Sequence, residues 1–457
     1  MIGFGARALM HIRKRLFSSQ RKANRYRRPV WRGGHFVIEY ILATAMLMNS
    51  FSAIAQEELK DDRKIEERRD NNQTISEPTY RRLSAVHELL GEDDLIEALD
   101  GLARLEKLRL NKYEQALIHQ TYGFVYARQD KQELAIASFE KSLGFNSLPS
   151  MAQQGMLYSL AGLYLAGEQY MKAIETMREW FRYEAEPAAD AYMVIASGFT
   201  GLERFDDALP YVQKAIQASE TPRENWYMLE LAIHFEKERY REAAGVVKRM
   251  LQYWPDKAKY WEILFGSYLK LEEEKNALDV MMVAYNRNLV TTESKLLGLA
   301  QLNMALDIPF TAGSIIERGI SEGIVESNKK NLDVLLQAWM AAKEYERAIA
   351  TIDKIAPLND DGEYYMRKAR IYNELGEWQE VADSARQALD AGLEKPADAH
   401  MLAGMAYSEL HRYTDSIAAF RRARDAGDAR GRKNADAWIA FVEEKILLSN
   451  ASVASSN

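Results

Sequence analysis

A repeat of about 35 residues constrains the fold of this chain more than any other feature of its sequence. A short side chain recurs ten times, and an apolar residue stands four positions after each one. The nine intervals between successive short residues are 37, 38, 35, 35, 34, 35, 36, 33 and 35 residues. Self-similarity at this period indicates stacked structural units, because one such unit cannot bury its apolar face alone. The ten positions are Ala98, Ala135, Ala173, Ala208, Ala243, Ala277, Ala312, Ala348, Val381 and Ser416.

Aromatic residues keep the register of this repeat. One stands nine positions before the short residue in seven units, as Tyr164 and Tyr268 do, and a second often stands three positions before it. Glycine or alanine often precedes the first aromatic by three positions, where small side chains let two helices approach closely. The aromatics can then fill the wedge between one helix pair and the next. This pattern is typical of the tetratricopeptide repeat, a helix–turn–helix unit of about 34 residues.

The sequence therefore predicts an all-α fold, a tetratricopeptide-repeat solenoid that winds as a right-handed superhelix. The repeats are expected to occupy residues 79–448 after a polar linker at residues 56–78. Beyond the tenth unit, Asn434–Leu448 is amphipathic and is predicted to form a capping helix, whereas residues 449–457 are expected to fray. The ten units are expected to begin near residues 79, 116, 154, 189, 224, 258, 293, 329, 362 and 397.

Composition and motifs exclude several kinds of chemistry. The chain has 457 residues, of which 47% are apolar and 28% charged, so a large core is available. It has no cysteine, which excludes disulfide frameworks, cysteine-ligated metal centres and cysteine nucleophiles. No phosphate-binding loop or H-E-x-x-H motif occurs, and the five histidines beyond residue 55 are spread over four repeats. We therefore expect no enzymatic activity, no metal site and no cofactor.

The N-terminal segment differs from the repeats. Residues 1–35 contain ten Lys and Arg residues and no acidic residue, and the apolar run Phe36–Ser52 precedes an A-x-A sequence that ends at Ala55. This order is typical of a bacterial secretory signal, with a mature N-terminus at Gln56 and a periplasmic product. An uncleaved anchor in the inner membrane is the alternative, although a run of 17 residues that includes Glu39 is short for a full span.

The charge of the exported part argues against nucleic acid as a partner. Removal of residues 1–55 takes away ten basic residues and one acidic residue, which moves the formal net charge from −7 to −16. An acidic chain repels phosphate backbones. We also expect membrane contact only through the N-terminal segment, and only if that segment is retained.

The first helix of each repeat is predicted to line a groove with the side chains that its packing does not use. Methionines and mixed polarity in such a lining favour an adaptable groove for an extended peptide or a helix. An alternative is that several of these side chains pack against neighbouring first helices instead. Trp180, Trp226 and Trp254 lie outside the packing register and are further candidates for exposed contacts. The groove candidates are Phe124, Tyr158, Met193, Asn225, Met228, Phe235, Lys259, Glu262, Gln301, Met304, Asp333, Gln337, Met340, Arg370 and Met405.

Residues 224–350 contain a more particular set of packing residues. They include Tyr260-Trp261, Leu264 and Tyr268, followed by Ala277, Met281, Ala284-Tyr285, Leu299-Ala300-Gln301-Leu302, Pro309, Ala312, Ile316-Glu317, Gly319, Gly323-Ile324 and Ala338-Trp339. This stretch resembles the exported tetratricopeptide proteins associated with TonB–ExbB–ExbD energy-transduction systems of Gram-negative bacteria, the TtpC-like family. The resemblance implies an accessory role in TonB-dependent uptake of iron complexes, such as siderophores or haem. It also implies contact with the periplasmic parts of that complex.

Two classes of function remain open on the sequence. The first is a non-catalytic scaffold that binds proteins in the cell envelope, either within a TonB system or in envelope assembly unrelated to it. The second is an enzyme subunit or a helical receptor for peptidoglycan or another glycan. A convergent polar cluster in a deep pocket would favour the second class, and the sequence offers none, so the scaffold is preferred.

Overall fold

The computed structural model describes residues 74–358 and 362–455, with side chains as far as Leu448. The signal or anchor segment at residues 1–55 and most of the polar linker lie outside this range. Within it, twenty-one α-helices and one 3₁₀ turn, Ala356–Leu358, account for all regular structure, and no strand occurs. The helices are α1 Glu77–Gly91, α2 Leu95–Leu105, α3 Lys112–Arg128, α4 Gln132–Gly144, α5 Ser150–Ala166, α6 Tyr170–Tyr183, α7 Ala189–Gly201, α8 Phe205–Ala218, α9 Glu224–Glu236, α10 Tyr240–Tyr253, α11 Ala258–Lys270, α12 Glu274–Asn286, α13 Glu293–Ala305, α14 Pro309–Ser321, α15 Lys329–Ala342, α16 Tyr345–Ile355, α17 Glu363–Leu375, α18 Trp378–Asp390, α19 Pro396–Glu409, α20 Tyr413–Ala426 and α21 Ala429–Ser455.

These helices form ten pairs and one final helix, grouped in two compact units. Unit 1 extends through Pro255 and holds α1 to α10, and unit 2 begins at Asp256 and holds α11 to α21. Within each unit, the two helices of a pair pack together, and the second helix packs on the first helix of the next pair. Each unit is thus a stack of helix–turn–helix repeats, which confirms the predicted all-α tetratricopeptide-repeat fold.

The short residues lie where two helices of a pair cross. All ten are buried, from Ala98 to Ser416, and so are the residues four positions later, such as Phe139 and Ile316. The crossings leave little space: a Cβ placed on Gly123 would lie 2.3 Å from the ring of Phe139. The repeat in the sequence is therefore a repeat of close helix approaches.

A turn of two or three residues joins the helices of every pair, and each turn contains one residue in the left-handed region. Asp130 and Glu238, for example, have φ values of 57° and 54°. The residue that follows the left-handed one donates its backbone N–H to the carbonyl oxygen five positions back, as Lys131 does to Tyr126 at 2.9 Å. This bond closes the first helix and reverses the chain within three residues.

The observed boundaries differ from the predicted ones at three places. Glu77 and Pro78 belong to the first turn of α1 and not to the polar linker, because proline is well suited to a helix N-terminus. The second and third repeats begin four residues earlier than predicted, at Lys112 and Ser150. The final helix is Ala429–Ser455, longer at both ends than the predicted capping helix, so the segment expected to fray is helical where it is described.

Candidate protein-binding face

The fifteen groove candidates lie on one face of the first helices. Each stands 8, 11, 15 or 18 residues before the short residue of its repeat, as Met340, Gln337 and Asp333 do before Ala348. These spacings place side chains above one another along a helix. All fifteen are exposed or half-buried, whereas the neighbouring positions hold buried residues such as Leu335 and Trp339. We call the surface at these four positions the open face, and we describe it separately for the two units.

In unit 1, the aromatic side chains of the open face pack partly against rings of the second helices. The ring of Phe124 lies 5.1 Å from that of Phe139, which belongs to the second helix of the same pair. Tyr158 packs against Trp180 on α6, with ring centroids 5.8 Å apart. Phe235 meets the ring of Tyr240 at 5.9 Å. Contacts to the second helix therefore occupy part of each ring. The other candidates of unit 1 are half-buried or exposed: Met193, Asn225 and Met228.

In unit 2, the open face carries a row of apolar side chains. Leu269, Met304 and Met340 stand at the same position of three successive repeats, eight residues before the short residue. Leu269 and Met340 are 41% and 40% exposed, and Met304 is half-buried. We call these three residues the apolar row. Gln301 and Gln337 are exposed and stand one helical turn before Met304 and Met340, on two successive first helices. We call these two residues the amide pair.

Two acidic candidates of unit 2 bridge successive first helices instead of facing a free groove. Lys295 Nζ on α13 lies 2.6 Å from Glu262 Oε1 on α11. The Tyr364 hydroxyl on α17 donates to Asp333 Oδ1 on α15 at 2.7 Å. The alternative drawn from the sequence, packing against neighbouring first helices, thus holds for both carboxylates. Lys259, Arg370 and Met405 remain accessible on the same face, with Lys259 over the ring of Tyr260 at 4.7 Å.

The tryptophan candidates do not belong to an exposed surface. Trp180 and Trp226 are buried, and Trp254 is half-buried. Trp180 lies between the rings of Tyr158 and Phe181, and Arg223 stacks over Trp226 at 4.4 Å. The expectation for the first two is wrong, because a large ring outside the repeat register can still fill the space between neighbouring helices.

Leu269 is a residue of the open face that the sequence analysis missed. It stands eight residues before Ala277, the same register position as Met304 and Met340. That register was therefore sufficient to find it.

Titratable groups of the described chain lie within the helix packing, where Glu106, for example, meets both His119 and Tyr122. Burial lowers the pKa of His119, His234 and His400 below the ordinary histidine value, which favours the neutral form of these rings. No group of three His, Asp or Glu side chains in residues 74–358 and 362–448 is placed to hold a metal ion. None of the described helices is both long enough and apolar enough to cross a membrane.

Comparisons with known proteins find likeness at low identity only. No protein-family model and no curated protein matches the chain. A tetratricopeptide repeat protein from Parabacteroides merdae is 14% identical, over 57% of this chain and 99% of that one, with a TM-score of 0.34. YrrB, described as a TPR protein with an unusual peptide-binding site, is 18% identical over 38% of this chain and 91% of its own, with a TM-score of 0.29. MamA from Desulfovibrio magneticus RS-1 is 18% identical over 47% of this chain and 96% of its own, with a TM-score of 0.27.

Proposed function

We propose that this protein is a non-catalytic scaffold that holds an extended segment of a partner protein on the open face of its first helices. The apolar row of unit 2 is the observation that carries the proposal. Exposed apolar side chains that recur at one position of successive repeats are typical of interaction surfaces, and methionine adapts its shape to different ligands. The amide pair beside the row offers both donors and acceptors to a peptide backbone. The apolar row and the amide pair can bind a segment, but their side chains include no nucleophile or general base.

Substitution of the apolar row tests the proposal. The double variant Leu269→Asp and Met340→Asp should weaken partner capture about tenfold or more, because it places two charges in a desolvated contact. Helicity and melting temperature should change little, since both side chains are already exposed. Co-purification of the partner from the organism's own envelope fraction would measure the effect.

The matched control is Val283→Asp on α12. Val283 is 46% exposed and belongs to a second helix of the same unit, away from the open face. Capture should survive this substitution. If the double variant captures its partner as well as the wild type does, or if the control loses capture equally, the open face of unit 2 is not the binding site.

We propose further that the protein acts in the periplasm, cleaved after Ala55 or tethered through an uncleaved N-terminal segment. The partner we favour is a periplasmic part of a TonB–ExbB–ExbD complex that drives iron uptake. The packing residues of 224–350 support this choice by resemblance, and the acidic exported part would suit a basic, extended linker. Envelope assembly or a glycan-associated scaffold unrelated to TonB is the alternative.

Deletion of the gene distinguishes these two functions. Under the first, growth on a ferric siderophore as sole iron source should fall, while growth on excess ferrous iron, which needs no TonB, should remain normal. N-terminal sequencing of the cellular protein should begin at Gln56. Unchanged growth on the siderophore would leave the generic envelope scaffold, and a product that retains Phe36–Ser52 would establish the tether.

A further inference from the structure

The end of unit 2 carries a concentration of positive charge. Residues 421–433 hold six Arg or Lys residues and only two Asp residues, in a chain whose formal net charge is −7. One of the six, Arg424, lies 3.3 Å from Asp425 and 3.6 Å from Asp436. Within the described part of the chain, none of the other five has a carboxylate within ion-pair distance. These five, which we call the cationic patch, are all exposed: Arg421, Arg422, Arg430, Arg432 and Lys433.

Among the described residues, the cationic patch places five exposed cations without an ion pair within thirteen residues. Several arginines elsewhere form ion pairs with residues earlier in the chain, as Arg287 does with Asp256 at 2.7 Å and Arg347 with Glu317 at 3.3 Å. Asp428 is one of the two acidic residues within 421–433, and its carboxylate accepts a hydrogen bond from the backbone N–H of Gly431 at 2.7 Å. The cationic patch therefore presents its charge to the solvent.

The final helix α21 adds apolar side chains to this end of the unit. Its inner face buries Ala435 and Val442, and Trp438 stacks on Phe420 of α20 at 5.5 Å. On the outside, Phe441, Leu447 and Leu448 are 43%, 70% and 64% exposed.

Cations and apolar residues share the outer face of α21. Arg430, Phe441 and Leu448 are separated by 11 and 7 residues, which places them in one line along the helix, away from Ala435 and Val442. Lys433 lies on the same side, close to this line. The outer face is therefore basic near its N-terminal end and apolar near its C-terminal end.

We propose that the outer face of α21 and the cationic patch dock on a membrane surface that contains anionic lipids. Arg and Lys would face the phosphate headgroups, while Phe441, Leu447 and Leu448 enter the boundary between headgroups and acyl chains. Charge complementarity selects an anionic surface, and the apolar side chains favour a bilayer over an acidic protein, which the cations alone would suit. Glu444 lies on the same outer face and opposes the attraction, so docking should be reversible. These residues are distinct from those of the open face, and docking here departs from the sequence-based expectation that only the N-terminal segment contacts a membrane.

The absence of cysteine allows a local test in the full chain. An environment-sensitive fluorophore on Leu448→Cys should brighten about twofold or more with vesicles that contain about 30 mol % phosphatidylglycerol in phosphatidylethanolamine. Pure phosphatidylcholine vesicles should give no change. The matched control, Val283→Cys on α12, is similarly accessible but remote in sequence from the patch, and it should stay dim.

Charge reversal identifies the source of the attraction. Arg430→Glu, Arg432→Glu and Lys433→Glu together should weaken vesicle binding of the Leu448→Cys protein at least about tenfold, whereas Glu444→Lys should strengthen it. Inorganic phosphate should not compete, because a free anion cannot replace the apolar part of the site.

Three results with vesicles would overturn the proposal. They are no brightening at position 448 with anionic vesicles, equal brightening at position 283, or vesicle binding that survives the triple reversal. If a polyglutamate peptide brightens position 448 as strongly as the vesicles do, the surface is one for acidic proteins and the membrane assignment is wrong.

Discussion

Single methyl groups decide whether the helices of a pair can approach. A Cβ on Gly123 would meet the ring of Phe139 at 2.3 Å, and one on Gly404 would meet Phe420 at 2.7 Å. Both phenylalanine rings are fully buried and cannot move aside without displacing their own neighbours. Gly245 in α10 is different, because a Cβ there meets nothing within 4 Å. Packing therefore requires glycine at positions 123 and 404, on first helices, but not at position 245, on a second helix.

This difference predicts opposite effects of the same substitution. Gly123→Ala should lower the free energy of unfolding by about 1–2 kcal/mol, because overpacking outweighs the gain of about 1 kcal/mol in helix propensity. Gly245→Ala should raise the free energy of unfolding by about 0.5–1 kcal/mol, since only the propensity changes. Urea denaturation followed by circular dichroism would measure both. Equal effects of the two substitutions would show that the approach at Gly123 does not limit the packing.

At the scale of the helix pair, the turn geometry is constant although its residues are not. The left-handed position holds Asp, Glu, Lys, His or Gly in different repeats. Glycine is the residue type best suited to this conformation, and it occupies the position only at Gly376. A side chain with a Cβ costs about 1–2 kcal/mol there. The N–H groups that close the first helix, such as that of Glu273 to the carbonyl of Tyr268 at 2.9 Å, offset this cost. Pair geometry therefore depends on the backbone bonds and the buried crossing more than on a turn motif.

At the scale of the whole molecule, buried and half-buried histidines connect stability with pH. Burial lowers the pKa of His119 in unit 1 and of His400 in unit 2. The nearby Lys141 lowers the pKa of His119 further, and Glu106 opposes the shift. Unfolded histidine has a pKa of about 6.5, so below this pH the unfolded chain binds more protons than the folded one. The contribution of the neutral histidines to the free energy of unfolding is therefore fully present above about pH 6.5, and it is lost as the pH falls below that value.

The melting temperature should accordingly fall when the pH is lowered from 7 to 5. His119→Phe should reduce this fall, because phenylalanine keeps the stacking with Tyr122 and Phe145 but cannot be protonated. Differential scanning calorimetry at the two pH values would measure the change. The exposed His411 provides the control substitution, His411→Phe, which should leave the fall as in the wild type. An equal fall in the His119→Phe protein would exclude this histidine as a source of the pH dependence.

The sequence by itself determined the number of repeats, the crossing positions and the face on which each first-helix side chain lies. These properties follow from local helical periodicity, so Gln337 and Met340 could be assigned to the open face without coordinates. Leu269 was available from the same register.

Only the tertiary structure decided which side chains of that face are engaged. Glu262 meets a lysine 33 residues away, and Asp333 meets a tyrosine 31 residues away. The burial of Trp180 and the missing carboxylates around the cationic patch were equally invisible in the sequence. Periodicity reports the side of a helix on which a residue lies. The partner of that residue depends on how closely successive first helices approach, and side-chain packing within each unit sets that distance.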